Sequence, residues 1–384
     1  MVRIVDPRGR GRRTLLTLTA TVALVAAAVA PAQAHSSHGH PTPPPTRVAS
    51  GLDNPRQLIV NGHGDLYVAE AGRGGSTLCI TGPEGDDICL GSTGAVTRVT
   101  RKGTQSRVVT GLPSLAAPDG SAAIGPSDVE WLGGRQLAVL IGLGADPAAR
   151  DAMPAEGSRL ATLQLAKVGS THTRTIADLG AYEAKANPIH DPDSNPSSLI
   201  RVGDKFVITD AGGNDLVRTG RHGLSTVAVF DDQMADAPPF LGLPPGTQIP
   251  AQAVPTAVVR GPDGAYYVSQ LTGFPFQPGL ANIYRVVPGH APTVWASGLT
   301  NVTSLAFDSR GSLYAVQLAK DGLLNAPPDA PPVGSLVKVS RSGAHTVVAD
   351  NLVAPYGMAI SGHQAYVSTC SVCPGGGEVW RITL

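Results

Sequence analysis

Charge and aromatic side chains are both scarce in this chain. Of its 384 residues, 15% are charged and 4% aromatic. Beyond the first thirty residues no run of eighteen apolar residues occurs, which argues against a membrane-spanning helix there. Lys and Arg form no cluster after residue 34, so the electrostatic footprint needed to hold nucleic acid or an anionic membrane is missing. The usual enzyme signatures are absent too: no G-x-S-x-G elbow, no H-E-x-x-H, no P-loop and no Rossmann glycine pattern. A Ser-His-Asp triad cannot be assigned by spacing, because triads are spatial. What the chain has instead is 46 Gly and 33 Pro, the composition of many short strands joined by turns.

The first residues read as a targeting segment. A basic start is followed by an apolar run from Leu15 to Ala30 and by Ala32-Gln33-Ala34. This predicts a signal peptide over 1–34, cleaved before His35, with Arg12-Arg13 compatible with either the twin-arginine or the general secretory route. The remainder carries 24 Lys and Arg against 28 Asp and Glu, a net charge of −4. Residues 35–45, with "HSSHGHPT", are expected to be a disordered leader rather than a metal site. An exported chain with four cysteines points to two disulfides, Cys79–Cys89 and Cys370–Cys373, though spacing does not exclude cross-pairs.

One unit returns six times. Its second strand is "LYVAE" (66–70), "LAVLI" (137–141), "FVITD" (206–210), "YYVSQ" (266–270), "LYAVQ" (313–317) and "AYVST" (365–369). Before each lies another apolar strand, joined through turns such as "NGHGD", "GPDG" or "DSRG". Third and fourth strands follow in five units, while the sixth ends after "EVWRITL". The missing fourth strand is "TRVASGL" (46–52), which stands alone before the first unit and resembles "TVWASGL". The expected fold over 46–384 is therefore an all-β, six-bladed propeller of four-stranded blades, with the N-terminal strand completing the last one.

Propeller topology puts the start of each first strand and the end of each second strand on one face, around the channel. The second strands end in Glu70, Ile141, Asp210, Gln270, Gln317 and Thr369, five of them polar where buried strands stay apolar. The first strands are led in by Asn54, Asn195 and Asn301, with Asp128 just inside. Such a ring suits a polar ligand or an oxygen-preferring cation such as Ca²⁺. The candidate ligand-binding set is Asp210, Asn195, Glu70, Gln270, Gln317 and Asn301; the candidate cation set is Asp210, Glu70, Asn195 and Asn301. The same face carries the long loops 71–94, 142–158, 181–194, 231–253, 271–281 and 318–333. Around "FVITDAGGND", Gly212, Gly213 and Asp215 read as the turn. His190, Asp191 and Asp193 crowd the neighbouring loop, and "FPFQPG" (274–279) sets two Phe on the rim.

"SGLDNPRQLIVNGHGDLYVAEAGRGG", "DSNPSSLIRVGDKFVITDAGGNDLVR" and "APYGMAI…AYVSTCSVCPGGGEVWRI" together resemble the ScyD/ScyE family of exported bacterial propellers, over about residues 46–384. That resemblance implies a six-bladed, TolB-like propeller and assigns no reaction. A looser resemblance goes to NHL-repeat and gluconolactonase-like propellers. Those lactonases hold a divalent cation with a Glu, two Asn and an Asp, places that Glu70, Asn195, Asn301 and Asp210 match by blade position. Their "NDG"-type segment is absent here. The expected protein is thus a secreted, monomeric binder of a small molecule or of an envelope or extracellular protein. The alternatives are a metal-dependent lactonase or esterase, in which the cation lowers the pKa of a water, and a scaffold for envelope assembly.

Overall fold

The computed structural model describes residues 43–384 apart from 77, 82–84, 86, 191 and 343. The predicted signal peptide and almost all of the leader lie outside those residues. Six sheets follow one another along the chain. Their first strands are Pro55–Val60, Pro126–Gly133, Pro196–Val202, Pro255–Arg260, Val302–Phe307 and Met358–Ser361. Four of the six open on proline, which sits well at the first position of a strand, where no ladder N–H is required. Within each sheet the strands lie antiparallel in chain order, except that Thr46–Leu52 takes the outer place beside Gly377–Thr383. Each first strand touches the next, and the last touches the first. The chain is a β-propeller, closed by its N-terminal strand.

The core explains why the second strands read as continuous apolar runs and not as alternations. Each sheet is buried on both faces, so successive side chains enter different cores. Phe206 and Ile208 pack with Leu140 and Leu163 of the preceding sheet, whereas Val207 packs with Val258 and Val268 of the following one. Six such clusters separate the six sheets. The closing one joins Ala49, Leu52 and Val379 to Leu58, Leu66 and Val68.

Three insertions depart from the simple repeat. Cys79–Thr81 pairs with the long strand Asp87–Val99 in a register that sets Cys79 opposite Cys89, so the predicted loop 71–94 carries an extra hairpin. Both expected disulfides, Cys79–Cys89 and Cys370–Cys373, are present. Leu179–Ala186 is an α-helix where the sequence suggests a loop, capped by the Asp178 carboxylate on the Ala181 N–H. Loop 231–253 forms a two-stranded flap, Gln233–Asp236 with Gln248–Ala251. No helix among the described residues is long and apolar enough to cross a membrane.

Candidate functional site at the channel mouth

A single backbone contact recurs in all six sheets at this face. The residue after the second strand, or in the sixth sheet the next but one, donates its N–H to the carbonyl just before, or nearly before, the first strand. The pairs are Ala71 to Asn54 (3.1 Å), Gly142 to Gly125 (2.9 Å), Ala211 to Asn195 (3.0 Å), Leu271 to Val254 (2.9 Å), Leu318 to Asn301 (2.9 Å) and Ser371 to Ala354 (3.1 Å). The polar strand-end side chains brace the same lead-in segments. Glu70 accepts from the Asp53 N–H at 2.7 Å, Asp210 from the Asn195 N–H, and Gln317 Oε1 from the Thr300 N–H at 2.8 Å. Gln270 Oε1 instead holds the flap, accepting from Gln233 Nε2 at 2.9 Å and from the Asn282 N–H at 3.1 Å. Asn301 donates to the Leu271 carbonyl (2.8 Å) and accepts from the Leu323 N–H (3.0 Å), tying two neighbouring loops together.

The "DAGGND" stretch is a four-residue connection between Asp210 and Asp215, which face each other across the ladder. Asp210 Oδ1 also accepts from the N–H groups of Gly212 (3.1 Å) and Gly213 (3.2 Å), and Oδ2 from Ser194 Oγ (2.7 Å). Asn214 takes positive φ (54°), which an Asn tolerates, and its Oδ1 accepts from the Val254 N–H. The glycines make room for acids. A Cβ on Gly212 would lie 2.8 Å from Asp193 Cγ, and one on Gly213 2.8 Å from Glu183 Oε2. Glu183 comes from the unforeseen helix. Burial first, then the Asp210 charge, pushes its carboxyl up to about 7. Burial also lifts Asp210 to about 6. Asp215 rises well above the carboxylate range through burial and then the Glu183 charge. Glu183 Oε1 and Asp215 Oδ1 have no hydrogen-bond partner among the described residues.

These geometries bear on the cation reading. Besides the Asp53 N–H, fully buried Glu70 accepts from Thr97 Oγ1 and from Arg107, whose Nη2 lies 2.7 Å from Oε2 and 2.8 Å from Asp53 Oδ2. Asp210 has four donors of its own. Both polar atoms of Asn301 are engaged. The set Glu70, Asp210, Asn195 and Asn301 therefore offers a divalent cation few free lone pairs, and an arginine already neutralises Glu70. The donor set does not fit the ion. No group of three or more His, Cys, Asp or Glu among the described residues has a metal-binding arrangement.

Of the six predicted side chains, Asn195 is the one that lines the central cavity. This space of about 120 Å³ is bounded by Arg56, Ile124, Ser127, Asn195, Ser197, Thr256, Leu271 and Tyr356, among others. A belt of hydroxyls links the first strands around it. Ser127 donates to the Pro196 carbonyl (2.7 Å), Ser197 to Pro255 (3.0 Å), Thr256 to Val302 (2.6 Å), Thr303 to Tyr356 (2.8 Å) and Ser368 to Arg56 (2.8 Å). Arg56 spans the remaining gap by donating from Nη2 to the Ala123 carbonyl, and its guanidinium lies 4.7 Å from the centre of the Tyr356 ring.

Arg56 and Tyr356 were not anticipated. The signal was there: the second residue of the first strand is Ser127, Ser197, Thr256 and Thr303 in four units but Arg56 in another, and in the sixth unit Tyr356 stands two residues before the strand Met358–Ser361. Buried Asp128 accepts from Ser198 Oγ (3.0 Å) and the Leu199 N–H (2.8 Å), fastening adjacent sheets, and burial pushes it up to about 7. His190 is exposed with φ 59°, and Asp191 lies outside the described residues. The rim Phe274 sits 6.2 Å from Phe240 of the flap and 6.5 Å from Phe276.

No protein-family model and no curated protein matches this chain. Solved structures do. A protein of unknown function from Bacteroides thetaiotaomicron VPI-5482 aligns with a TM-score of 0.52 at 9% identity, over 89% of this chain and 72% of its own. A gluconolactonase from Xanthomonas campestris aligns at 0.46 and 13% identity, over 90% and 99%. Virginiamycin B lyase from Staphylococcus aureus aligns at 0.43 and 11%, over 89% and 98%. The likeness is one of fold alone.

Proposed function

We propose that this chain is a secreted propeller that binds a small molecule, or an envelope or extracellular partner, at its channel mouth, without catalytic equipment of its own. One observation carries the reading: the strand-end carboxylates Glu70 and Asp210 are taken up in bracing the ring, while the cavity beside them keeps side chains with uncommitted donors. Export and kinship with the ScyD/ScyE propellers belong to this proposal. They are supported by the quoted blocks and by two disulfides of the kind that persist in oxidising compartments. In this reading Gln270, Gln317, Asn301, Glu70 and Asp210 shape the site and do not touch the ligand.

The rival reading, a lactonase-like hydrolase, takes its support from the blade positions of Glu70, Asn195, Asp210 and Asn301. It needs a cation that these residues are poorly placed to hold. Incubation with a panel of lactones and esters, with and without Ca²⁺, Mg²⁺, Mn²⁺ or Zn²⁺, separates the two. No metal-dependent turnover is expected. Turnover abolished by a chelator and restored by one ion would overturn the binding reading.

A further inference from the structure

The central cavity holds a cation with no anion. Arg56 forms no ion pair among the described residues, and it donates only to the Ala123 carbonyl while stacking on Tyr356. A half-buried guanidinium without a carboxylate is an unfavourable arrangement, normally relieved by pairing. The rest of the lining sharpens the point. Ser127, Ser197 and Thr256 give their protons to neighbouring carbonyls. Asn195 and Tyr356, by contrast, line the same space with a carboxamide and a phenol that donate to no acceptor among the described residues. Gly142 makes room for Asn195, since a Cβ there would lie 2.5 Å from its Oδ1. Three kinds of free donor thus face one cavity, and the carboxylates that might have neutralised Arg56 are engaged elsewhere: Asp128 by Ser198 and Leu199, Glu70 by Arg107, Asp210 by its own turn.

The size of the space limits what enters. About 120 Å³ is well under the ~300–1,000 Å³ of a pocket that holds a whole ligand, so the cavity takes a head group and leaves the body outside. The cavity wall indicates the nature of that body. Val254 and Leu271 belong to the wall. They are the ends of the two segments that carry the flap and the "FPFQPG" loop, which are joined through Gly273 N–H to the Gln252 carbonyl (2.8 Å) and Asp236 N–H to Gln277 Oε1 (2.7 Å). Those segments expose Phe240 (68%), Met234 (53%), Leu243 (44%), Leu241 (41%) and Phe274 (40%), an apolar group that includes both exposed phenylalanines of an aromatic-poor chain.

Resting on the binding reading above, we infer that the mouth takes a carboxylic acid with an apolar body. Its carboxylate sits on Arg56, Asn195 and Tyr356, and its body lies along Phe274, Phe240 and the flap. A planar two-oxygen anion matches the guanidinium fork, and desolvation strengthens that pairing.

Calorimetric titration of the purified protein with octanoate, octanol and acetate tests this. Octanoate is expected to bind saturably, with octanol and acetate each weaker by about tenfold or more. Arg56→Gln is expected to weaken octanoate by about tenfold or more. Because Arg56 also closes the hydroxyl belt, Asn195→Asp serves as the second variant. It disturbs no hydrogen bond of its side chain among the described residues, yet sets a negative charge in the cavity, and should lower octanoate affinity without lowering the unfolding temperature. Octanoate bound equally by wild type and both folded variants overturns the carboxylate assignment; the mouth-face reading survives that result if Phe274→Ser weakens binding and falls with it if Phe274→Ser has no effect. Octanoate no tighter than octanol overturns the inference, as does the absence of any octanoate binding. A free tripeptide acid such as Ala-Ala-Phe offers the same two oxygens. If it binds tighter than octanoate while its amide does not bind, the occupant is a protein C-terminus and the small-acid assignment is overturned.

Discussion

Asp210→Ala is expected to destabilise the propeller by about 3 kcal/mol or more, and Asp210→Asn by about 1 kcal/mol or less. The carboxylate serves four donors, Ser194 Oγ and the N–H groups of Asn195, Gly212 and Gly213, at a position with no solvent exposure. Alanine leaves all four buried without an acceptor, at roughly 1–3 kcal/mol for each that cannot relax toward water. Asparagine keeps Oδ1 for the three backbone donors, and its amide can donate to Ser194, whose hydroxyl turns to accept. Loss of the charge itself costs little, because burial already holds this carboxyl at about 6. Urea unfolding of the two variants beside wild type measures the difference. Equal destabilisation by Asn and Ala would mean that the negative charge, not the hydrogen bonding, is what the site requires, and would point back to a bound cation.

Stability is expected to fall as pH rises from 5 to 8. Burial lifts Asp128, Glu130 and Glu183 to about 7 and Asp210 to about 6, and raises Asp215 well above its ordinary value. An acid whose folded-state pKa is raised binds its proton more tightly in the folded protein. Between the unfolded value near 4 and the folded value, the native state therefore carries more protons than the unfolded chain, and stability declines with pH across that window. The loss from the four groups with assigned values is complete about one pH unit above the folded values, near pH 8. Acids held down, such as Asp350 by the Lys320 ammonium, act only at lower pH. The expected Tm is higher at pH 5 than at pH 8 by several degrees, a domain of ~150–250 residues moving about 2–4 °C per kcal/mol. Glu183→Gln and Asp215→Asn should each flatten the dependence, since each removes one of two mutually repelling buried charges. A Tm that rises from pH 5 to pH 8 would show that these carboxylates are ionised and paired in the folded state.

The ring was legible in the sequence because its physics repeats. Each second strand is buried on both faces, which produces the recurring apolar runs, and the orphan strand 46–52 carries the same "ASGL" ending as the outer strand Thr293–Leu299. The insertions were not legible, since none has a period. The flap strands "QMAD" and "QIPA" are four residues each and carry no alternation, and the register of the first-sheet hairpin is visible only once Cys79 is set against Cys89. The helix from Leu179 was hidden because Asp178 ends the strand Thr173–Asp178 and caps the helix at once.

The site was half legible for a different reason. Polarity picked out Glu70, Asp210 and Gln317 correctly as unusual residues, but composition does not say which way a strand-end side chain turns. These three turn toward their own sheet's lead-in and satisfy backbone N–H groups there, which a buried strand end must do. Asn195 turns to the cavity. Arg56 escaped notice because a single arginine is ordinary on a surface; only its place among four small hydroxyl residues marks it as unusual.

The central claim is that the mouth's carboxylates hold the ring together and do not hold a metal. The direct measurement is the Tm of chelator-stripped protein titrated with Ca²⁺, Mg²⁺, Mn²⁺ and Zn²⁺, for wild type and Asp210→Asn. Saturating a site at 100 times its dissociation constant adds about 2.7 kcal/mol, a shift that is easily seen. The account predicts no saturable shift for any ion in either protein. A rise with one ion that Asp210→Asn abolishes would contradict it.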